Sequence, residues 1–323
     1  MTCAFVFKDE TVLCHQTADG IRPLPVSLST PSSNQTSDAQ HTPVYQLGCV
    51  PLFAAIEVHE TNRLSSPSAN ETGANKEPNA ATLFAISHAY ALSHKLALPT
   101  IVDADHINDL TACHADTAAF IAYRQLITLM PSSVADTLSQ GIQLLRWRED
   151  TQFCSRCGAA VNSAKSGERS MVCSVCRLRQ YPRVQPCVIT AITRPNPETG
   201  ETQILLAHHH RYGQTSLPLQ YGLIAGFVEV GESLEHAVVR EVAEEVGITL
   251  SDIRYVSSQP WPFPSNLMLG FRASYQSGDI VLQEDELSHA EFFDLSALPK
   301  IPFKGSIAYD LIAQIAQEQG VVI

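Results

Sequence analysis

The chain has 323 residues, a formal net charge of −12 and 45% hydrophobic residues. That length and apolar content suit two domain cores with room for a small module between them. So acidic a chain is excluded from broad non-specific binding to nucleic acid, which needs many Lys and Arg on phosphates, although a local basic groove stays open.

The first 150 residues have a texture of their own. Residues 27–42 and 60–79 are rich in Ser, Thr, Asn and Pro and read as long loops or insertions. Between them, 43–58 reads as a strand followed by an apolar element. Apolar spacing predicts helices over 82–94 and 116–130, and a further helix over 133–149 that feeds the first cysteine pair. No catalytic motif stands in this part, and a scaffold or dimerisation domain is the expectation. From residue 184 the pattern turns to strands, at 188–193 and 203–208, followed by a Gly-rich loop and a helix over Leu234–Val246. Strands at 253–257, 267–275 and 290–294 and a last helix at 306–319 complete it. Strands on both sides of one central helix imply a mixed sheet between helices. The expected boundaries are therefore 1–149, 150–183 and 184–323.

Residues 1–15 hold one lysine and no long apolar core, and no stretch approaches 18 consecutive apolar residues, so neither a secretory signal nor a membrane span is expected. The tail Val321, Val322, Ile323 matches no retention or peroxisomal signal. Of nine cysteines, four form two CxxC pairs and Cys3, Cys14, Cys49, Cys113 and Cys187 are scattered. That usage suits a metal site plus free thiols in a reducing compartment, and the expected location is cytoplasmic.

Cys154 and Cys157 are separated by fifteen residues from Cys173 and Cys176. Two such knuckles supply four thiolates to one tetrahedral Zn2+, and a closed set of four makes the zinc structural. Gly158 fits the tight turn after the first pair. Arg156, Lys165, Arg169, Arg177, Arg179 and Arg183 cluster here. Solvation of a module with little core accounts for them, and so does contact with nucleic acid.

The segment 226–248 carries the chemistry. On a helix from about Ser233 to Val246, Glu241 and Glu245 lie one turn apart with Glu244 beside them, while Val238, Val242 and Val246 form an inward stripe. Three carboxylates this close repel unless a cation sits among them, and hard oxygen ligands suit Mg2+ or Mn2+. Gly247 is placed as the helix C-cap, and Gly226 and Gly231 allow a sharp strand-to-helix turn. A lone ExxEE would be read as a solvated acidic face. Here seven fixed and two aliphatic positions recur over 23 residues, with a chance frequency on the order of 10^-9 per position at average composition.

This segment resembles the Nudix box, G-x5-E-x7-R-E-U-x-E-E-x-G-U, without departure. The resemblance implies that Glu241, Glu244 and Glu245 bind divalent metal, that Glu232 and Arg240 brace loop and helix as a charged pair, and that the reaction is hydrolysis of a nucleoside diphosphate linked to a further group. Glu244 and Glu245 are both candidates for the base. Downstream stand Ser258, Gln259, Pro260, Trp261, Pro262, Phe263, Pro264, Ser265 and Asn266. Three prolines stiffen this stretch, and Trp261 and Phe263 either pack or stack on a base. It is similar to the SQPWPFPxS signature of the NADH pyrophosphatase branch, which also carries a four-cysteine ribbon ahead of the catalytic domain. Asn266 stands where Ser is usual, and an Asn can still donate and accept hydrogen bonds.

The branch resemblance implies a substrate site at Gln259 to Asn266, with Tyr181 and Ala308 as further contacts. It implies metal ligation by Glu286 and by the Ala225 carbonyl. Glu284, Asp285 and Glu286 by themselves would read as a solvated acidic loop. The implied architecture is an α/β/α Nudix sandwich with a mixed sheet, preceded by a zinc ribbon and an N-terminal α/β domain. The implied activity is hydrolysis of NADH and NAD+ to AMP and nicotinamide mononucleotide, together with removal of NAD caps from RNA, by a homodimer. Another diphosphate substrate such as ADP-ribose, or a non-catalytic nucleotide-sensing or RNA-binding regulator, are the competing readings. His208, His209 and His210 do not read as a metal site, because consecutive strand residues point to opposite faces; His236 and His289 are set aside likewise.

Overall fold

The computed structural model describes residues 2–17, 20–27, 44–46, 82–94, 96, 98–102, 117–165, 168–213 and 218–323. The chain divides into two compact units, Met1–Pro182 and Arg183–Ile323.

The first unit is rich in strands: β1 (Thr2–Lys8), β2 (Thr11–Thr17), β3 (Gly20–Pro23), β4 (Pro25–Ser27), β5 (Val44–Gln46) and β6 (Thr82–Ser87), then helix α1 (His88–Ser93), β7 (Thr100–Val102), β8 (Thr117–Ala122), α2 (Tyr123–Leu126) and α3 (Ser132–Asp150). Among the described residues these strands form one mixed sheet in the order β5-β6-β1-β2-β8-β7, with β4 on β1 and β3 on β2. Residues alternate across a strand: Ala4 and Val6 of β1 join Leu13, Val26 and Ile86 in one core cluster. Phe7 instead meets α3, where a Cβ at Gly141 would collide with its ring.

Two expected helices are corrected here. Residues 82–94 form β6 before the short α1, and 117–126 form β8 and then the short α2. Ala118, Ala119 and Ile121 are buried, as are Ala85 and Ile86. A strand covered on both faces is continuously apolar and loses the two-residue alternation that would have identified it. Ser87 then caps α1, its Oγ accepting from Tyr90 N at 3.1 Å. Most of the expected element at 43–58 lies outside the described residues, as do the stretch 60–79 and all but the first residue of 27–42.

The unit ends in a three-stranded antiparallel sheet, β9 (Val161–Ser163), β10 (Met171–Cys173) and β11 (Arg179–Gln180), in the order β11-β10-β9. Its small core contains Cys154, Val161, Met171 and Cys173 together with Leu144 and Trp147 of α3, so the helix end supplies apolar cover that the module lacks.

The second unit runs β12 (Gln185–Pro195), β13 (Thr202–His209), β14 (Ile224–Phe227), α4 (Leu234–Val246), β15 (Thr249–Trp261), β16 (Asn266–Ser277), β17 (Leu287–Asp294) and α5 (Ile307–Glu318). The sheet order is β15-β16-β12-β13-β17, with β14 on β12. β12 and β16 pair in parallel and the other pairs are antiparallel, which makes the sheet mixed. β13 shows how the layers form. Ile204 and Leu206 face the cluster containing Leu311, Ile312 and Ile315 of α5. Leu205 and Ala207 face the cluster containing Val242 and Val246 of α4. One helix therefore covers each face, an α/β/α sandwich. No described helix is long and apolar enough to cross a membrane.

Candidate active site and metal centre

Helix α4 starts where Ser233 Oγ accepts from His236 N at 3.2 Å and stops at Gly247, whose φ of 72° is the left-handed conformation that glycine takes without strain. Ala237, Val238, Val242 and Val246 are buried, which fixes the rotation of the helix. Glu245 is carried inward with them and is 1% exposed; Glu241 is half-buried, and Glu244 is exposed. Gly226 on β14 faces Glu241, and a Cβ there would overlap the carboxyl group.

Arg240 organises the outer part of the site. Its Nε and Nη2 bind both oxygens of Glu232 at 2.8 and 2.9 Å, the bidentate geometry that suits a carboxylate. Its Nη1 donates to Glu241 and Glu244, each at 2.9 Å, and Nη2 also donates to the Phe227 carbonyl at 2.8 Å. Arg240 thereby holds the Glu232 carboxyl down at about 2.

Glu245 is the opposite case. Neither carboxylate oxygen has a hydrogen-bond partner. Burial first, then the charges of Glu286 and Glu241, push its pKa up to about 8, against smaller pulls from Arg211 and the Ala225 backbone. Burial also raises Glu241, with Arg240 opposing. An orphaned carboxylate crowded by two further carboxylates fits a hard divalent cation, which would satisfy it where no side chain does. Glu286 reaches this neighbourhood because its loop is stitched to the end of α4: Val281 N donates to Val246 O and Gln283 N to Glu245 O, both at 3.0 Å.

His209 lies here too, its Nε2 3.9 Å from Glu245 Oε2. Burial, then the charges of Arg211, His208 and His210, lower it to about 3, so the ring is neutral. The three histidines diverge: His208 Nδ1 meets Gln220 O at 2.7 Å and His210 Nε2 meets Glu284 O at 3.0 Å. Alternation along the strand accounts for His208 and His209, whereas His210 turns away because it has left β13 for the 3-10 segment that follows; nothing in the sequence pointed to His209 as the neighbour of Glu245. Arg211, and Phe227 with its half-exposed ring beside Gly226, were likewise not singled out.

The cysteines converge. Among the described residues Cys154, Cys157, Cys173 and Cys176 form the one group of three or more potential ligands gathered within 4.8 Å. The glutamates do not meet that spacing, since Arg240 draws Glu241 and Glu244 toward itself. Sulfur separations of 3.5 Å for Cys154–Cys176 and Cys157–Cys173 approach the roughly 3.8 Å edge of a tetrahedral ZnS4 set. Burial works against a Cys173 thiolate, yet N–H groups of Cys176 and Val175, at 3.3 and 3.4 Å, help bring it down to about 6.

The proline-rich stretch forms the hairpin end between β15 and β16, where Trp261 pairs with Asn266. Trp261 lies 5.3 Å from Phe263, edge to face, and stacks near Phe303 at 6.2 Å. Pro262 is buried, Pro264 is exposed after a cis peptide bond, and Ser265 O accepts from Gln185 N. Gln259 and Pro260 are half-buried on β15. Both ends of the Gln259 amide are engaged: Nε2 donates to Gly305 O and Oε1 accepts from Ile307 N, each at 2.8 Å. It therefore ties the hairpin to the start of α5, where Ala308 is buried. Asn266 is 8% exposed and its Oδ1 has no partner. In the first unit, Tyr181 is exposed and donates to Glu168 at 2.8 Å.

Residues 185–314 match the model of the NUDIX domain, and residues 149–181 match that of the NADH pyrophosphatase zinc ribbon domain. Two proteins named NAD-capped RNA hydrolase NudC, from Pseudomonas aeruginosa (strain LESB58) and Salmonella schwarzengrund (strain CVM19633), are each 46% identical over 175 residues. The match covers 54% of this chain and 59% and 63% of those relatives, so the chain spans less than two thirds of their length. A NUDIX hydrolase structure from Nitrosomonas europaea, 22% identical, aligns with a TM-score of 0.42 over 53% of this chain and 94% of its own. With its glutamate helix, its sandwich and the ribbon ahead of them, the chain carries a NUDIX domain preceded by a zinc ribbon domain of the NADH pyrophosphatase type.

Proposed function

We propose that this protein hydrolyses the pyrophosphate bond of NADH and NAD+, giving AMP and the nicotinamide mononucleotide half, and that it removes NAD caps from RNA by the same chemistry. The observation that carries the hydrolase reading is Glu245, buried without a hydrogen-bond partner and crowded by Glu241 and Glu286. Glu241, Glu245, Glu286 and the Ala225 carbonyl would hold Mg2+ or Mn2+. When bound, the metal neutralises the pyrophosphate and lowers the pKa of the attacking water. Glu244, exposed and tethered by one bond to Arg240, is the available group to accept the proton of that water. Water adds to one phosphorus, the bridging P–O bond breaks, and two monophosphates and a proton leave.

The substrate assignment is supported by the hairpin of Trp261, Phe263 and Pro264 and by the NudC relatives, which are named as NAD-capped RNA hydrolases. Trp261 and Phe263 offer faces to a base, and buried Asn266 offers an open acceptor. For Tyr181, Gln259 and Ala308 as contacts, support rests on the branch resemblance. The four cysteines would hold one structural Zn2+. The domain limits 1–149, 150–183 and 184–323, a cytoplasmic location and a homodimer complete the reading. Free Cys14 and Cys187 suit a reducing compartment.

Incubation with NADH and Mg2+ or Mn2+, followed by mass spectrometry, tests it. AMP should form with wild type and not with Glu245→Gln. No AMP from wild type would end the enzyme reading.

A further inference from the structure

We propose that Arg211 contacts the phosphate oxygens of the substrate and is a catalytic residue of this site, an inference that rests on the pyrophosphate reading above. Strand β13 ends at His209, 3.9 Å from Glu245. The chain then turns through the 3-10 segment His210–Tyr212, closed by Gly213 at φ 74°. That turn is stapled to the acidic loop ahead of β17: His210 N donates to Glu286 O at 3.0 Å, and His210 Nε2 meets Glu284 O at 3.0 Å. Arg211 therefore springs from backbone fixed between Glu245 and Glu286. It is exposed, so its long side chain can meet a ligand from solvent. Its charge acts on Glu245 of α4, on His209 of β13 and on Cys187 of β12, three elements that meet beside the carboxylates.

Arg240 cannot serve the phosphates. A guanidinium has five N–H donors, and those of Arg240 go to Glu232 twice, Glu241, Glu244 and the Phe227 carbonyl. A dianionic pyrophosphate entering a site that holds Glu232, Glu241, Glu244, Glu245 and Glu286 needs positive charge from the protein as well as from metal. A second guanidinium at the rim can bind two phosphate oxygens at once and oppose the charge that grows on the leaving phosphate.

The test compares wild type with Arg211→Ala and Arg211→Lys by three readouts: NADH turnover, Mn2+ affinity by electron paramagnetic resonance, and calorimetric binding of methylenediphosphonate, a pyrophosphate that cannot be cleaved, with Mg2+ present. Arg211→Ala should lower kcat/KM by about a hundredfold and weaken the diphosphonate by about tenfold. Mn2+ affinity should not fall, since removing a neighbouring cation does not weaken a metal site, and Arg211→Lys should recover part of both losses. The proposal is overturned if Arg211→Ala keeps wild-type kcat/KM, or if Mn2+ affinity falls in step with activity, which would make Arg211 a support of the metal site. If wild type does not cleave NADH, the functional reading fails separately. The diphosphonate then decides: tighter binding to wild type than to Arg211→Ala sustains the inference, and equal or absent binding overturns it.

Discussion

The carboxyl group of Glu241 lies in the space that a Cβ on Gly226 would fill. The glycine at the head of the Nudix box is therefore needed for close approach. Gly226→Ala is expected to fold, because the atoms it meets are the far end of one flexible side chain. Glu241 should swing away and Mn2+ affinity should fall. Thermal unfolding should shift by less than a typical overpacking cost of about 1–3 kcal/mol, while NADH turnover drops by at least about tenfold. Unchanged turnover would contradict this geometry.

Glu245 sets a pH dependence for the metal-free protein. Its pKa stands at about 8 against an ordinary 4.5, so between those values the folded state holds a proton that the unfolded state has lost. Stability should be fullest below pH 4.5 and decline as pH rises toward 8. Glu245→Gln should flatten that decline in thermal melts with chelator present. It should also abolish the stabilisation that Mg2+ gives wild type.

Metal removal should be visible at Trp147, which packs in the same core as Cys154 and Cys173. In a Trp261→Phe background the remaining tryptophan emission should shift to the red on treatment with a zinc chelator. Cys173→Ser should give the same emission without chelator, and metal analysis should find less than one zinc per chain.

The bonds of Gln259 predict a mainly structural cost. Gln259→Leu leaves the Ile307 N–H without its acceptor, a loss of about 1–3 kcal/mol in urea unfolding. If Gln259 instead acts chiefly by touching substrate, KM will rise with no change in the unfolding midpoint.

Ionic strength separates the two substrates. Cleavage of NAD-capped RNA should weaken steeply with added salt, through phosphate contacts at basic residues such as Arg156 and Arg177, and hydrolysis of free NADH should change little. Equal salt dependence would argue against RNA contacts beyond the cap.

The sequence by itself determined the grouping of the candidate metal ligands and the order of parts. Glu241, Glu244 and Glu245 are set by helical spacing, and the four cysteines by knuckle spacing, both local patterns that survive without tertiary knowledge. The limits of α4 were legible because Ser233 and Gly247 punctuate it. The first unit was less legible, since β6 and β8, apolar on both faces, carry no period that tells strand from helix. Only the tertiary structure decided that Arg240 spends its five donors on three glutamates and the Phe227 carbonyl, that Glu245 is buried and unpartnered, and that Gln259 ties the hairpin to α5. It also brought His209 to within 3.9 Å of Glu245, a residue far along the chain, and left the charge of Arg211 close enough to act on it. The reason is physical: burial and pairing depend on which surfaces meet when strands and helices pack, and that meeting is non-local.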